Sequence, residues 1–443
     1  MSHQGWEIPA AMRIDLSRST MPQYLKQGME QTSERSAAIH QTVSEVLLAV
    51  EREGAAAVRR YSQQFDNWSP PQFTVSAEDV AAASSQVPDE LQEHIREAQV
   101  QVENFARLQR ETMVDLEVET QPGVVLGHRH IPVNSVGAYS PGGVYPLIAS
   151  SIMTITTPKV AGVREVIGMA PPRDSGGMHP PQLFTMGLCG ADQILCLGGV
   201  QGMAALAFGI EDVQPVDMIV GAGNAYVSEA KRQLFGQVGI DLLAGPTEIA
   251  IIADETADPR IVAADLLGQA EHGVTSPAVL ITTSTAFGQA VLRQVDQWLA
   301  GAWPTKDVAG AAWRDFGSVV VCDSDEEAAT FSDAFAPEHL EVQVANTEWF
   351  HGRLRNYGSL FLGPHSTVAY SDKSIGTNHV LPTRRAARYT GGLWVGKFLK
   401  TVTYQRVDEV GSKAVAPTTA AISDAEFMLG HALTARLRLG EEF

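Results

Sequence analysis

Beyond residue 130 the chain repeats one texture, a short apolar run followed by a helix-length segment, and that texture constrains its fold more than any other feature. The runs are Val163–Met169, Gln193–Leu197, Val216–Val220, Ile249–Ala253, Ala278–Thr282, Ser318–Cys322 and Ser359–Leu362. They are continuously apolar rather than alternating, so both faces of each strand are expected to be buried. Parallel sheets covered by helices on both sides have that requirement. There are too many strands for one compact unit. The pattern therefore predicts two α/β units, at roughly 132–243 and 244–383.

The first thirty residues are polar and weakly patterned and read as an arm. Helical periodicity starts at Ser36, with Ile39, Val43, Val46, Leu47 and Val50 on one face, resuming after Gly54 with Val58, Tyr61 and Phe65. A second helix follows Pro88, with Leu91, Ile95, Ala98, Val102 and Phe105 in register. These helices are expected to pack on the second unit. After Pro382 the chain reads as irregular, ending in one helical segment from Asp424 to Leu439.

Composition narrows the function classes. Of 443 residues, 44% are hydrophobic and 19% charged, which excludes a disordered chain. The formal charge of −19 disfavours nucleic acid and anionic lipid as partners, and obliges an anionic substrate to find a locally basic pocket. Three cysteines without a C-x-x-C pair suit a reducing compartment. No secretory signal and no membrane-length apolar run is visible, so a cytoplasmic protein is expected.

Several short motifs could carry chemistry. In 258–273 (DPRIVAADLLGQAEHG), Asp258 suits a helix N-cap, Pro259 the first helical position and Gly273 the stop. Gln269 and His272 would then share a face in the last turn, as two metal ligands must, although an ordinary polar helix end has the same spacing. In 336–340 (APEHL), Glu338 and His339 could divide proton-transfer work, but neighbouring side chains diverge in regular structure. A loop from Ser371 to Pro382, turning at Gly376, gathers Asp372, Asn378 and His379. The glycine stretches at 197–202 and 220–224 follow strands and open helices, a geometry suited to phosphate, yet neither completes G-x-G-x-x-G. Ser140 to Gly143 is either a third such turn or a simple type II turn.

Taken in order, the motifs resemble the histidinol dehydrogenase family over roughly residues 35–435. The matching runs are 136–143 (VGAYSPGG), 159–163 (KVAGV), 198–201 (GGVQ), 223–227 (GNAYV), 229–233 (EAKRQ), 244–248 (AGPTE), 269–273 (QAEHG), 336–340 (APEHL) and 378–383 (NHVLPT). The resemblance implies two Rossmann-like parallel-sheet domains in a homodimer with shared active sites. It implies one zinc ion per subunit and NAD, used twice to oxidise a primary alcohol through an aldehyde to a carboxylate. It places zinc ligands on Gln269, His272, Asp372 and His431, the last reaching the other subunit's site through an exchanged tail. It places the catalytic pair on Glu338 and His339, NAD contacts on Tyr139, Gln201 and Asn224, and substrate contacts on Thr247, His379 and Glu426, together with Gln269, His272, His339, Asp372 and His431. The implied domains are an arm (1–30), a catalytic domain (31–131 plus 244–383), an NAD-binding domain (132–243) and a dimerisation tail (384–443).

The chain departs from that family at 365–373 (HSTVAYSDK), where the usual run is Thr/Ser-Pro-Glu before Gly-Asp-Tyr. It departs again at 426–431 (EFMLGH), where Glu-Gly-Leu is usual. Both changes touch the substrate pocket more than the metal. The runs 127–136 (GHRHIPVNSV), 143–150 (GVYPLIAS) and 388–405 (RYTGGLWVGKFLKTVTYQ) resemble a sister branch, the sulfopropanediol dehydrogenases, which oxidise 2,3-dihydroxypropane-1-sulfonate to sulfolactate. A sulfonate needs N–H donors or cations. His128, Arg129, His130, Arg384, Arg385 and Lys397 are candidates, with solvated loop charges or subunit contacts as the plain alternative. L-Histidinol is the alternative substrate, and an inactive binding homologue is disfavoured because the metal and catalytic residues are all retained.

Overall fold

The computed structural model describes residues 22–29, 35–142, 145–301 and 303–441. Two parallel sheets organise them. The first has the order Gln193–Cys196, Glu165–Ala170, Ser135–Tyr139, Met218–Val220, Gly239–Ile240. The second has the order Gln23–Lys26, Gly317–Val321, Ala278–Thr282, Ile249–Ala253, His339–Gln343, Ser359–Leu362, and only the edge strand Gln23–Lys26 is antiparallel. Numbered along the chain, the five parallel strands of each sheet lie in the order 3-2-1-4-5. The order reverses beside strand Ser135–Tyr139 in one sheet and beside Ile249–Ala253 in the other. At such a switch point successive connections leave for opposite faces, and a crevice opens between them.

The apolar runs form strands because each face has a partner to bury it. In Ile249–Ala253, the residues Ile249, Ile251 and Ala253 pack against Val262, Leu266 and Val291 on one side. Ala250 and Ile252 pack with Leu340, Val342 and Phe350 on the other. Complete burial of a side chain such as Ile251 contributes roughly 1.5–3 kcal/mol.

The helices Arg35–Glu53, Ala55–Asp66 and Asp89–Glu111 form where periodicity places them, but they cover the first sheet, not the second. Val43, Val46, Val50 and Val58 pack with Leu206, Ile219 and Val227. Ile95, Ala98 and Val102 join Ile152, Met153 and Phe398. Periodicity fixes which face is buried; it says nothing of the surface that buries it. Most of the expected arm, and Gly143 of the 140–143 turn, lie outside the described residues.

The segment after Pro382 is more regular than expected. Strand Leu399–Val407 pairs antiparallel with Val124–Pro132, which pairs with Leu116–Gln121. The single terminal helix is instead a pair, Glu409–Ala425 and Leu429–Arg438, broken where Phe427 takes a φ of 59°. The pair closes on itself through Ala416, Ala420 and Ala435, and leaves Ile422, Phe427 and Leu429 exposed. No described helix is long and apolar enough to cross a membrane.

Candidate active site

The helix Pro259–Ala270 starts as its sequence predicts, with the Asp258 side chain accepting from the Arg260 N–H. It stops one residue earlier than expected, with Glu271 as C-cap, so His272 lies just past the last turn. Gln269 and His272 still reach the same wall of a cleft of about 480 Å³, which Asp372 also lines. Asp372 belongs to the short helix Val368–Lys373, capped by the Thr367 hydroxyl, rather than to a loop.

Glu338 and His339 meet although they are adjacent in sequence. Helix Asp325–Phe335 ends at Ala336, which takes a left-handed φ of 51° before Pro337. Glu338 therefore precedes strand His339–Gln343, outside the alternation that would drive the two side chains apart. Its Oε2 accepts from the Thr247 hydroxyl (2.5 Å) and the Glu248 N–H (3.0 Å), and lies 3.4 Å from His339 Nδ1. That same Nδ1 is 3.1 Å from the Glu248 carbonyl oxygen, which can only accept, so Nδ1 carries the proton. His339 Nε2 is buried and has no partner among the described residues. Burial depresses the imidazole pKa, but the Glu338 carboxylate, Asp372 and the Glu248 carbonyl outweigh it and raise the value to about 9. A cation beside it would oppose that rise.

The Gln269 amide donates to Thr247 Oγ1 at 2.5 Å, so its carbonyl oxygen remains for the cleft. His272 Nε2 stands 3.6 Å from Asp372 Oδ2, too far for a hydrogen bond. Two ligands each about 2.1 Å from a tetrahedral zinc ion lie about 3.4 Å apart, so this spacing suits a shared ion. Burial works against a charged Asp372, yet His272, His379, His339 and Lys373 hold its carboxyl well below the ordinary range. One chain supplies three N and O donors, and among the described residues no set of three His, Cys, Asp or Glu comes together. The residues fit zinc and leave one ligand to be found.

At the carboxyl ends of the first sheet, Tyr139 closes its strand and is buried. Gln201 lies in the first turn of helix Gly199–Phe208, and Asn224 caps helix Ala225–Leu234 by accepting from the N–H groups of Tyr226 and Val227. Between them, Gly221 takes a φ of 116°, and a Cβ there would come within 2.0 Å of the Tyr139 carbonyl oxygen. Its peptide groups are gripped on both sides: the N–H donates to Asp241 and the carbonyl accepts from Lys231, each at 2.8 Å. Lys231 and Asp241 also pair with each other, both buried. The turn is thus held from both sides and leads into a helix N-terminus, as a phosphate-binding turn does. The residues fit a dinucleotide.

His379 joins the two units. Its Nδ1 lies 3.0 Å from the Asp372 carbonyl oxygen and its Nε2 2.9 Å from Ser150 Oγ, on a helix of the first unit. Ser150 was not singled out by its sequence, because a serine among Ile148–Ala161 carries no local signal. Glu248 was quoted only as part of a motif; burial, reinforced by Glu338, pushes its carboxyl up to about 8.

Other expected residues lie elsewhere. Glu426 and His431 are exposed on the terminal helical pair and do not line the cleft of their own chain. The basic candidates do not line it either. Arg129 lies 3.7 Å from Asp115 on an exposed strand, His130 meets Thr401, and Lys397 donates to Thr390. Arg384 and Arg385 are exposed, although the Arg384 N–H donates to Glu248. The cation that does line the cleft is Lys373.

Two doubly wound sheets facing one cleft, with N and O donors beside a free imidazole, define a two-unit α/β enzyme. The comparisons make that specific: the histidinol dehydrogenase family model matches residues 29–439, and the chain belongs to that family of oxidoreductases. It is 51% identical to a histidinol dehydrogenase homolog of Shouchella clausii, over 95% of this chain and 99% of that one. It is 45% identical to the sulfopropanediol 3-dehydrogenase of Ruegeria pomeroyi, over 95% and 97%. The crystal structure of histidinol dehydrogenase from Elizabethkingia anophelis superposes with a TM-score of 0.87 at 35% identity, over 94% of each chain.

Proposed function

We propose that the protein oxidises a primary alcohol through an aldehyde to a carboxylate, with zinc and two NAD, and that the alcohol is 2,3-dihydroxypropane-1-sulfonate. The observation that carries this reading is the convergence of Gln269, His272, Asp372, Glu338 and His339 at one end of the second sheet, with Tyr145–Ala149 of the first unit across the cleft from Gln269, His272 and Asp372. Bound zinc would polarise the alcohol oxygen, and each bound NAD would accept a hydride. Gln269, His272 and Asp372 would hold the metal, with the partner subunit's His431 as the fourth ligand, and Tyr139, Gln201 and Asn224 would hold NAD.

With a bound cation holding the imidazole neutral, His339 would receive the alcohol proton on Nε2, because Nδ1 is committed to the Glu248 carbonyl. Glu338 is fixed through Oε2 and keeps Oε1 to take a proton from water as that water attacks the aldehyde carbon. The resulting hydrate gives up the second hydride and leaves as the carboxylate. Thr247 and His379 orient the substrate from either side of the Asp372 wall.

Lys373 supports a sulfonate substrate, standing where the family usually has a tyrosine and lining the cleft 3.7 Å from Asp372. A second reading, an amino alcohol such as L-histidinol, is favoured by Asp265 and Glu271 in the same lining. NADH formation from the two alcohols in parallel, with zinc-loaded protein, decides between them. Two NADH per sulfopropanediol with histidinol inert is expected; turnover of histidinol alone overturns the assignment. The protein is proposed to act as a cytoplasmic homodimer, which three free buried thiols and the exposed Phe427 and Leu429 support. Full activity in both His431→Ala and Glu426→Gln would remove the exchanged tail.

A further inference from the structure

The reading above gives the first sheet to a dinucleotide without saying how NAD is told from its 2′-phosphorylated form. In doubly wound sheets a carboxylate near the carboxyl ends of the first strands receives the adenine-side ribose hydroxyls and repels a 2′-phosphate. The second strand here, Glu165–Ala170, runs into Pro171 and Pro172, and the next carboxylate, Asp174, is engaged in its own turn, where Oδ1 accepts from the Gly176 N–H at 2.7 Å.

A carboxylate arrives from outside the sheet. Helix Ala55–Asp66 ends on Asp66 and is closed by Asn67 at a φ of 50°. Two residues later the Trp68 Nε1–H donates to the carbonyl of Cys196, the last residue of the third strand, at 2.9 Å. This anchor sets Asp66 over the carboxyl end of the sheet. Its Oδ2 accepts from Gln201 Nε2 at 2.8 Å. Its charge acts on the buried Tyr139 hydroxyl at the end of the first strand.

Two acceptors at this spot are unused. Asp66 Oδ1 has no hydrogen bond among the described residues, and Gln201 Oε1 is buried without a partner. Gly199 keeps the space clear, since a Cβ on it would come within 2.8 Å of Gln201 Oε1. No lysine or arginine pairs with Asp66 among the described residues; burial and the Gln201 bond are the influences on it. A half-buried carboxylate with a free oxygen and no cation is costly unless a ligand's donors complete it.

We infer that Asp66 sets the choice of dinucleotide, its carboxylate receiving a hydroxyl of the adenine-side ribose and its charge excluding NADP. This rests on the NAD reading. The test is titration calorimetry of NAD and NADP against the full-length wild type, Asp66→Asn and Asp66→Ala, with no turnover required. Wild type is expected to bind NAD and to reject NADP. Asp66→Asn keeps an acceptor for Gln201 and loses the charge, so the preference for NAD over NADP should contract by roughly tenfold or more. Asp66→Ala should also weaken NAD by roughly tenfold or more. An unchanged preference in folded Asp66→Asn overturns the inference and leaves the NAD reading intact, because it reduces Asp66 to a support for Gln201. Wild type binding both dinucleotides equally does the same. Wild type binding neither overturns the NAD reading and the inference together.

Discussion

The two parallel sheets share a strand order but carry their candidate residues at opposite ends. In the first, the candidate residues follow the strands: Tyr139 ends one, and Gln201 and Asn224 lie just past two others. In the second they precede the strands: Glu248 stands before Ile249–Ala253, and Glu338 and His339 open His339–Gln343. The difference teaches that a shared strand order does not dictate which end of a sheet carries the candidate residues; only the first sheet places them at the carboxyl ends, where the switch-point crevice opens. The proposed hydride transfer would be served by the carboxyl end of the first sheet facing the amino end of the second. The cleft has that arrangement, with Tyr145–Ala149 of the first unit opposite Gln269, His272 and Asp372 of the second.

The contrast predicts separable defects. His339→Gln removes the free Nε2 and should lower kcat about 10²- to 10⁴-fold while NAD affinity by calorimetry stays unchanged. A parallel loss of NAD binding would show that the two ends are not independent. Gly221→Ala is the converse. Its Cβ collides with the Tyr139 carbonyl at a positive φ, at a cost on the order of 3 kcal/mol. The melting temperature and NAD affinity should fall, while zinc content by metal analysis is retained.

A smaller effect separates the sheets by pH. Glu248 keeps its proton up to about 8 when folded, against an ordinary value of 4.5. Between those values the unfolded chain has released the proton and the native state has not, so stability is lost as pH rises through that window. The size is on the order of a few kcal/mol. Thermal melts across the range should show a slope in wild type that Glu248→Gln flattens, and equal slopes would refute the assignment. The smallest change is Ser150→Ala, which cuts the bridge from the first unit to His379. A loss of about fivefold in kcat/KM is expected from steady-state rates, with NAD affinity unaltered.

Much of the fold was legible because burial leaves local marks. Ile249–Ala253, Ala278–Thr282 and Ser359–Leu362 have the limits their apolar runs suggest. Strand Leu399–Val407 left no such mark, since it is largely exposed and its alternation is filled with Lys, Thr and Arg. The candidate metal wall was half legible. Gln269 and His272 follow from helical spacing, but Asp372 reaches them from about a hundred residues away.

By itself the sequence determined the two α/β units, the faces their helices bury, and the residue types at each motif, because these depend on periodicity and on local caps and turns. Only the tertiary structure decided that the N-terminal helices cover the first sheet, that Glu338 and His339 converge, and that Asp66 stands over the carboxyl end of the first sheet. Those outcomes depend on contacts between segments far apart in the chain, and in the Glu338–His339 pair on a left-handed Ala336 that no spacing rule announces.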